Sequence, residues 1–462
     1  VHYRDSIREP MNDFFHFQHK ALISATPIVP EKDNRFDSFM RVLIQPDYEY
    51  RQKLKLITTN NVLETLQEVI EAKRGTVCIF CNSIDSIDSF YRLIPELNNA
   101  CTFCSEDGQY KLWKGNRRKK SMMITELERY NFFTSRFYSA VDIICKNPPH
   151  VILSSDLHGA TQSVIDPTTE AIQIIGRFRG GVNTVTHIAS IRPDLECMST
   201  NEIDNWIQGA SHIFNGWKTQ LAQTSNIGER TLLQEAIGEN SYLPYLDANG
   251  KPDPFLIANL YEKEQVKRLY TSTDLLCSAY QQTDYFIFSH EERLMPVSDN
   301  ERMAIQHRLA KKKRAELIVR KLEEMEKMSR TTDKKVQKRY QRMLGNLLTT
   351  TNDRYIYDCF CRFGGDFIRE SDYNENKLRT ALNVSSEHTI KQSGQMRSSI
   401  QRTFPIGSEL SVQEVKSMLK QVYKKMGLNT GRGITTKELE QYAEIEKGWK
   451  HDNRTIKTLK FK

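Results

Sequence analysis

Short apolar runs separated by helix-forming stretches recur between residues 76 and 191, and this alternation limits the possible folds more than any other feature of the chain. Thr76–Cys81 is almost wholly apolar and reads as a strand. Ser83–Ile94 follows as a helix, with Ile84, Ile87, Phe90, Leu93 and Ile94 at the spacing that turns one face inward. Cys101–Cys104, Tyr130–Thr134, Val151–Ser154 and Thr184–Ile191 are further strands, and another helix begins near Thr168. Strands short enough to be buried on both faces, each followed by a helix, predict an α/β fold with a parallel sheet covered on both sides.

The chain has 462 residues, enough for roughly two to four domains. Its apolar content of 39% and charged content of 27% suit a globular protein rather than a disordered one. No run approaches the ~18 apolar residues that a membrane-crossing helix needs, so no membrane partner is expected. Nine cysteines in a chain of this length do not make a disulfide scaffold, and a reducing, cytoplasmic setting is expected. Cys78, Cys81, Cys101 and Cys104 mimic a paired zinc pattern. The first pair, however, lies on a strand, where residues three apart face opposite ways. Buried core thiols are the expectation, and no metal site is assigned.

Beyond residue 195 the pattern changes. Residues 196–300 read as a helical accessory region broken by Pro244, the Asp247–Gly250 turn and two further prolines. Residues 301–385 form a basic helical region. Its first 44 residues carry 15 Lys/Arg against 6 Asp/Glu, a net of +9, whereas the whole chain carries +8. A polar linker is expected over roughly 384–403. Within 386–462, Ser411-Val412-Gln413-Glu414 and Thr435-Thr436-Lys437-Glu438 are capping-box patterns, the first opening a helix that stops at Gly427. Two such helices suggest a small helix-turn-helix-like module. At the N-terminus, Arg4–Phe17 reads as a helix weakened by Pro10, and Lys20–Ser24 as a short strand.

The chemistry lies in Gln173-Ile174-Ile175-Gly176-Arg177-Phe178-Arg179-Gly180, a glutamine and two arginines around one glycine. A guanidinium is permanently charged and presents a planar fork of donors to phosphoryl oxygens. Placed at a seam between two lobes, it can reach a γ-phosphate held by the other lobe. Alone, the string could also be a basic helix start. It follows in order Ser24-Ala25-Thr26-Pro27 and the segment from Thr134 and Ser135 to Asp142 and Ile143. That ordered set, over roughly residues 15–195, resembles the rear half of a superfamily 2 (DEAD/DEAH-type) helicase, of the kind found in phages and mobile elements.

The resemblance implies a RecA-like second helicase lobe at 31–195, with residues 1–30 as the end of the first lobe and the crossover. Ser24 and Thr26 would correspond to motif III, linking the ATP site to the nucleic-acid site. Asn82, ending the Val77–Asn82 strand, would sit with motif IV beside the nucleic-acid backbone. Thr134 and Ser135 would donate to a phosphate in motif V, and Asp142 would lie near the nucleotide. Gln173, Gly176, Arg177 and Arg179 would form motif VI, with Arg177 as arginine finger, Arg179 its partner, and Gln173 and Gly176 beside the nucleotide. The chain departs from the family at Ala140, where glycine is usual, and at Gly180, where the second arginine often stands.

The sequence has no G-x-x-x-x-G-K-[ST] loop and no Asp-Glu pair ending an apolar strand. ATP and Mg²⁺ are therefore expected to be held mainly by an upstream lobe, and these residues alone to be inactive. The expected whole is an ATP-dependent nucleic-acid helicase or translocase, with DNA ahead of RNA as partner. The alternatives are a non-enzymatic nucleic-acid-binding protein on a degenerate motor lobe and a translocase that does not separate strands. Two basic features are further candidate contacts: Trp113 with Arg117 and Arg118 in the 110–120 segment, and Lys311, Lys312, Lys313 and Arg314 on the basic helix.

Overall fold

The computed structural model describes residues 5–27, 30, 33–113, 119–124, 126–305, 309–328, 344–345, 348, 351–428, 430, 433–450 and 453–462. They fall into two compact units, residues 1–303 and 304–462.

The first unit is built on an eight-stranded sheet in the order β4-β3-β5-β2-β6-β7-β1-β8. The strands are β1 Gln52–Thr59, β2 Val77–Phe80, β3 Cys101–Phe103, β4 Lys119–Ser121, β5 Tyr130–Phe133, β6 His150–Ser155, β7 Thr184–Ser190 and β8 Phe286–Arg293. Every pairing is parallel, so the α/β fold with a parallel sheet is as expected. The central strands β2, β5 and β6 are buried at every residue, as strands covered on both faces must be.

One face is covered by helices α3 Val62–Glu71, α4 Ile84–Leu93 and α5 Glu106–Trp113. They bury Leu66, Ile70, Ile87, Phe90 and Leu112 against Ile79, Phe132 and Ile152 of the sheet. Helix α4 begins where Ser83 accepts a hydrogen bond from Ser86 N at 3.0 Å. The other face is covered by residues 137–165, by α6 Glu170–Ile175, and by α9 Pro254–Leu269 and α10 Thr273–Gln281. Between these, α7 Thr200–Gln223 and α8 Ile227–Gly238 are largely exposed, and α7 buries only Ile203 and Phe214. The unit ends in the short helix α11 Asp299–Met303, and two short helices at its start, α1 Asp5–Arg8 and α2 Met11–His16, precede the sheet.

Several expectations change. Lys20–Ser24 forms no strand: Leu22 and Ile23 are exposed, at 51% and 95%, and pair with no strand among the described residues. The helix expected over Arg4–Phe17 is split at Pro10, whose ring cannot continue the hydrogen-bond ladder. Residues 196–300 are not purely helical, because β8 completes the sheet beside β1. β8 is an edge strand, so its Phe-Ile-Phe start runs into the polar Ser289-His290-Glu291-Glu292 and lacks an apolar run. The cysteines alternate as the strand geometry predicts. Cys78 and Cys101 enter one core, and Cys81 and Cys104 the other. Burial pushes the Cys81 thiol up to about 12 and the Cys104 thiol up to about 11.

In the second unit, Lys311–Met328 packs beside Arg354–Glu370, which in turn meets Glu375–Lys391. Positive φ at Gly364, +81°, breaks the middle of Arg354–Glu370. The polar linker expected at 384–403 is helical instead. Ser393 caps Gly394–Thr403 by accepting from Met396 N, and Met396 and Ile400 are fully buried. Ser411 and Glu414 form the expected capping box of Val412–Lys425, which ends before Gly427 at φ +75°. The second expected helix is only a six-residue 3-10 turn, Thr436–Gln441. Beyond it, Ala443–Lys450 (β10) and Asn453–Phe461 (β11) form a hairpin, with Glu409–Ser411 (β9) on the far side of β11. A cap starts a helix but does not sustain one. The alternation from Ala443 and the run of Thr and Ile in β11 favour strands. The module is therefore a helix packed on a three-stranded antiparallel sheet, not a helix-turn-helix.

Among the described residues no helix is long and apolar enough to cross a membrane.

Candidate functional site

In a parallel sheet the loops leaving the carboxyl ends of the strands share one edge, and a crevice opens where successive connections leave in opposite directions. Here the chain leaves β2 toward β3 on one side, and leaves the neighbouring β6 toward β7 on the other. The residues following β5, β2 and β6 thus stand side by side, one inter-strand spacing apart.

Thr134 follows β5, and its backbone N–H donates to Phe103 O at 3.1 Å. Ser135 opens the short 3-10 turn behind it. Asn82 lies just past β2 and donates from Nδ2 to Gln162 O at 3.2 Å. Asp156 ends β6. It is 3% exposed, and accepts from Ser86 Oγ at 2.9 Å and from Gly159 N at 3.0 Å. Burial, then the nearby Asp299 charge, raises its pKa above the ordinary carboxylate range, against the pull of those hydrogen bonds. A side chain at position 159 would place its Cβ 2.3 Å from Asp156 Oδ2, so any residue but glycine would have to displace that buried carboxylate.

The glutamine–arginine segment sits on α6 and the turn after it. Gln173 Nε2 donates to Thr26 Oγ1 at 2.9 Å, joining residues 147 apart in sequence. Thr26 is 7% exposed, and its N–H donates to Ser24 Oγ at 3.1 Å. Arg177 is half-buried and held by its own chain. Its Nε donates to Gln173 O at 2.9 Å, Nη2 to Gln173 Oε1 at 3.3 Å and Nη1 to Val141 O at 3.3 Å. Burial, then repulsion from Arg179, lowers its pKa, but a guanidinium stays charged at any ordinary pH. Arg179 is exposed and pairs with the exposed Asp142, Nε to Oδ1, at 2.9 Å. Ile143 N donates to Arg177 O at 2.9 Å, so the 134–143 and 173–179 segments are stitched together at three neighbouring residues. Ala140, within the first of these segments, has φ +60°, the left-handed region that glycine occupies without penalty. Gly176 has an ordinary helical φ of −62°.

Of the residues expected from sequence, Thr26, Gln173, Arg177, Asp142 and Arg179 therefore form one connected set. Asn82, Thr134 and Ser135 belong to the carboxyl edge of the sheet. Ser24 is exposed and meets the set through Thr26. Trp113 is the last residue of α5, and Arg117 and Arg118 lie outside the described residues. The Lys311–Arg314 run is largely neutralised within its own unit. Lys311 pairs with Glu375 at 3.0 Å, Lys312 with Asp372 at 2.6 Å and Arg314 with Asp353 at 2.8 Å. Asp156, Ser86 and Gly159 were not anticipated. The available signal was Ser154-Ser155-Asp156 closing an apolar run, with glycine three residues on.

Among the described residues, no group of three or more His, Cys, Asp or Glu is placed to hold a metal ion. Compared with known proteins, the chain matches no protein family and no curated sequence.

Proposed function

We propose that residues 31–195 are the second, RecA-like lobe of an ATP-dependent nucleic-acid helicase or translocase of the superfamily 2 kind, with residues 1–30 as the end of the first lobe and the crossover. The observation that carries this reading is the Thr26–Gln173 hydrogen bond, 2.9 Å long. Two segments singled out separately in the sequence meet in space, and the second carries the arginines onward to Val141 and Asp142. The all-parallel sheet is consistent with such a lobe.

The sequence holds no phosphate loop, and among the described residues no acidic set is placed to hold a metal, so Mg²⁺–ATP would need further groups. The residues present fit the outer-phosphate side of such a site. ATP and Mg²⁺, held chiefly by an upstream lobe, would supply the phosphoryl chemistry when bound. Arg177, oriented by three bonds to its own chain, provides a fixed positive charge. Arg179, exposed and paired only at the surface with Asp142, is able to exchange that carboxylate for a phosphate oxygen. Gln173 links the arginines to Thr26 and so to the segment leading from the other lobe. Thr134, Ser135 and Asn82, at the carboxyl edge of the sheet, would turn toward a nucleic-acid backbone, the Thr134 hydroxyl exchanging Phe103 O and the Asn82 amide exchanging Gln162 O for phosphate oxygens.

The test is phosphate release by the intact protein, with and without single-stranded DNA or RNA. Arg177→Ala is expected to lower turnover by ~10³-fold while changing nucleotide affinity far less. Turnover within a few-fold of the parent, or activity indifferent to every nucleic acid, refutes the reading. Nucleic-acid binding without any hydrolysis in the intact protein would favour the non-enzymatic alternative.

A further inference from the structure

The hairpin that replaces the expected second helix places an exposed tryptophan near its tip. Trp449 on β10 and Arg454 on β11 are a cross-strand pair in the register, on the same face as the buried Ile456. Trp449 is nevertheless 69% exposed, with the Arg454 guanidinium 5.1 Å from its ring centroid. The indole thus has a cation already held against one face and keeps its other face open to solvent.

The surrounding charge identifies the kind of partner. Helix Val412–Lys425, packed on the same sheet, carries Lys416, Lys420 and Lys424 at four-residue steps, all exposed. Each step advances about 6 Å along the helix. Ion pairs in this module join Lys391 to Glu438, Lys447 to Glu440 and Lys450 to Glu409. None among the described residues takes up Arg454 or those three lysines. Lys457 and Lys460, by contrast, stand opposite Glu446 and Glu444 in the register, so their face is charge-balanced. The uncompensated cations thus accompany the exposed indole and the helix, a combination suited to an anionic chain with flat aromatic groups.

We propose that the β10–β11 hairpin is a contact for single-stranded nucleic acid, in which the free face of Trp449 stacks on a base, Arg454 meets the adjacent phosphate, and Lys416, Lys420 and Lys424 attract the backbone. The choice of nucleic acid as partner rests on the motor reading above; the placement of the contact rests on the hairpin and the helix.

The experiment is fluorescence anisotropy of the full chain with a labelled mixed-sequence single strand of about 16 nucleotides, DNA and RNA in parallel, over a range of salt. Trp449→Ala is expected to weaken binding by about tenfold with little change in salt slope. Trp449→Phe, which keeps a stacking face, should stay within about threefold of the parent. Replacing Lys416, Lys420 and Lys424 together by Gln should flatten the slope by about 2, at roughly 0.7 per neutralised phosphate. No binding by the parent chain, or an affinity unchanged within about twofold by Trp449→Ala, overturns the proposal; the second result leaves the indole to a protein partner. The two readings fail separately. Loss of binding at Trp449 with normal turnover in Arg177→Ala sinks the motor and keeps the hairpin. The reverse pair of results does the opposite.

Discussion

Replacing His187 with glutamine should change how the first unit's stability depends on pH. His187 lies on β7 with no exposed surface. Nδ1 meets Tyr280 OH at 2.8 Å and Nε2 meets Ser155 Oγ at 3.0 Å; Ser155 Oγ also meets Tyr270 OH at 3.0 Å. The same Tyr270 hydroxyl bonds both the carbonyl and the N–H of Ile165, so the network ties α9 and α10 to the sheet and to the loop before α6. Burial alone pulls the His187 pKa down to about 3. In an unfolded chain the ring titrates near 6.5. The folded pKa is the lower, so this contribution to stability is complete above about pH 6.5 and is lost as pH falls toward 3. Between pH 7 and pH 5 the loss is about 2 kcal/mol, since the unfolded ring gains most of a proton that the folded ring refuses. Glutamine keeps a polar group in the network but does not titrate. At pH 7 the variant should be less stable by roughly 1–3 kcal/mol, from imperfect replacement of two buried hydrogen bonds. At pH 5 that deficit should shrink by about 2 kcal/mol. Urea unfolding followed by tryptophan fluorescence is the assay, because Trp113, Trp206 and Trp217, three of the four tryptophans, lie in the first unit. A deficit equal at both pH values to within about 0.5 kcal/mol would show that His187 titrates normally, and would refute the burial argument.

Two further substitutions test the backbone around the candidate site. Gly159→Ala should destabilise the unit by roughly 1–3 kcal/mol, because the new Cβ would lie 2.3 Å from a buried carboxylate oxygen of Asp156; a melting temperature within about a degree of the parent refutes it. Ala140→Gly should stabilise the unit by up to about 1 kcal/mol, relief of a left-handed φ of +60° outweighing the extra freedom of glycine when unfolded. A lower melting temperature in this variant would show that the turn is not strained.

The sequence by itself determined the elements whose signals are local. The buried strands at Val77–Phe80, Tyr130–Phe133, His150–Ser155 and Thr184–Ser190 announce themselves as apolar runs, and α4 by its inward stripe. The fate of the four cysteines followed from strand alternation alone. The arginines of the candidate site were legible too, as residue types at a spacing. Tertiary structure decided the rest, because the deciding terms there are long-range. Phe286–Arg293 is a strand because β1 offers it an edge, and its own residues are half polar. Lys20–Ser24, with an equally plausible pattern, has no strand beside it among the described residues and stays extended and exposed. Thr435 and Glu438 promised a helix, but pairing between 443–450 and 453–461 outweighed the local signal. Lys311, Lys312 and Arg314 read as free charge until folding brought Glu375, Asp372 and Asp353 against them. Asp156 became notable only through burial beside Gly159 and Ser86, and the partner of Thr26 was fixed only when folding brought Gln173 to it. A side chain's type is written in the sequence, but its partner, its solvation and therefore its charge and reach are properties of the packed chain.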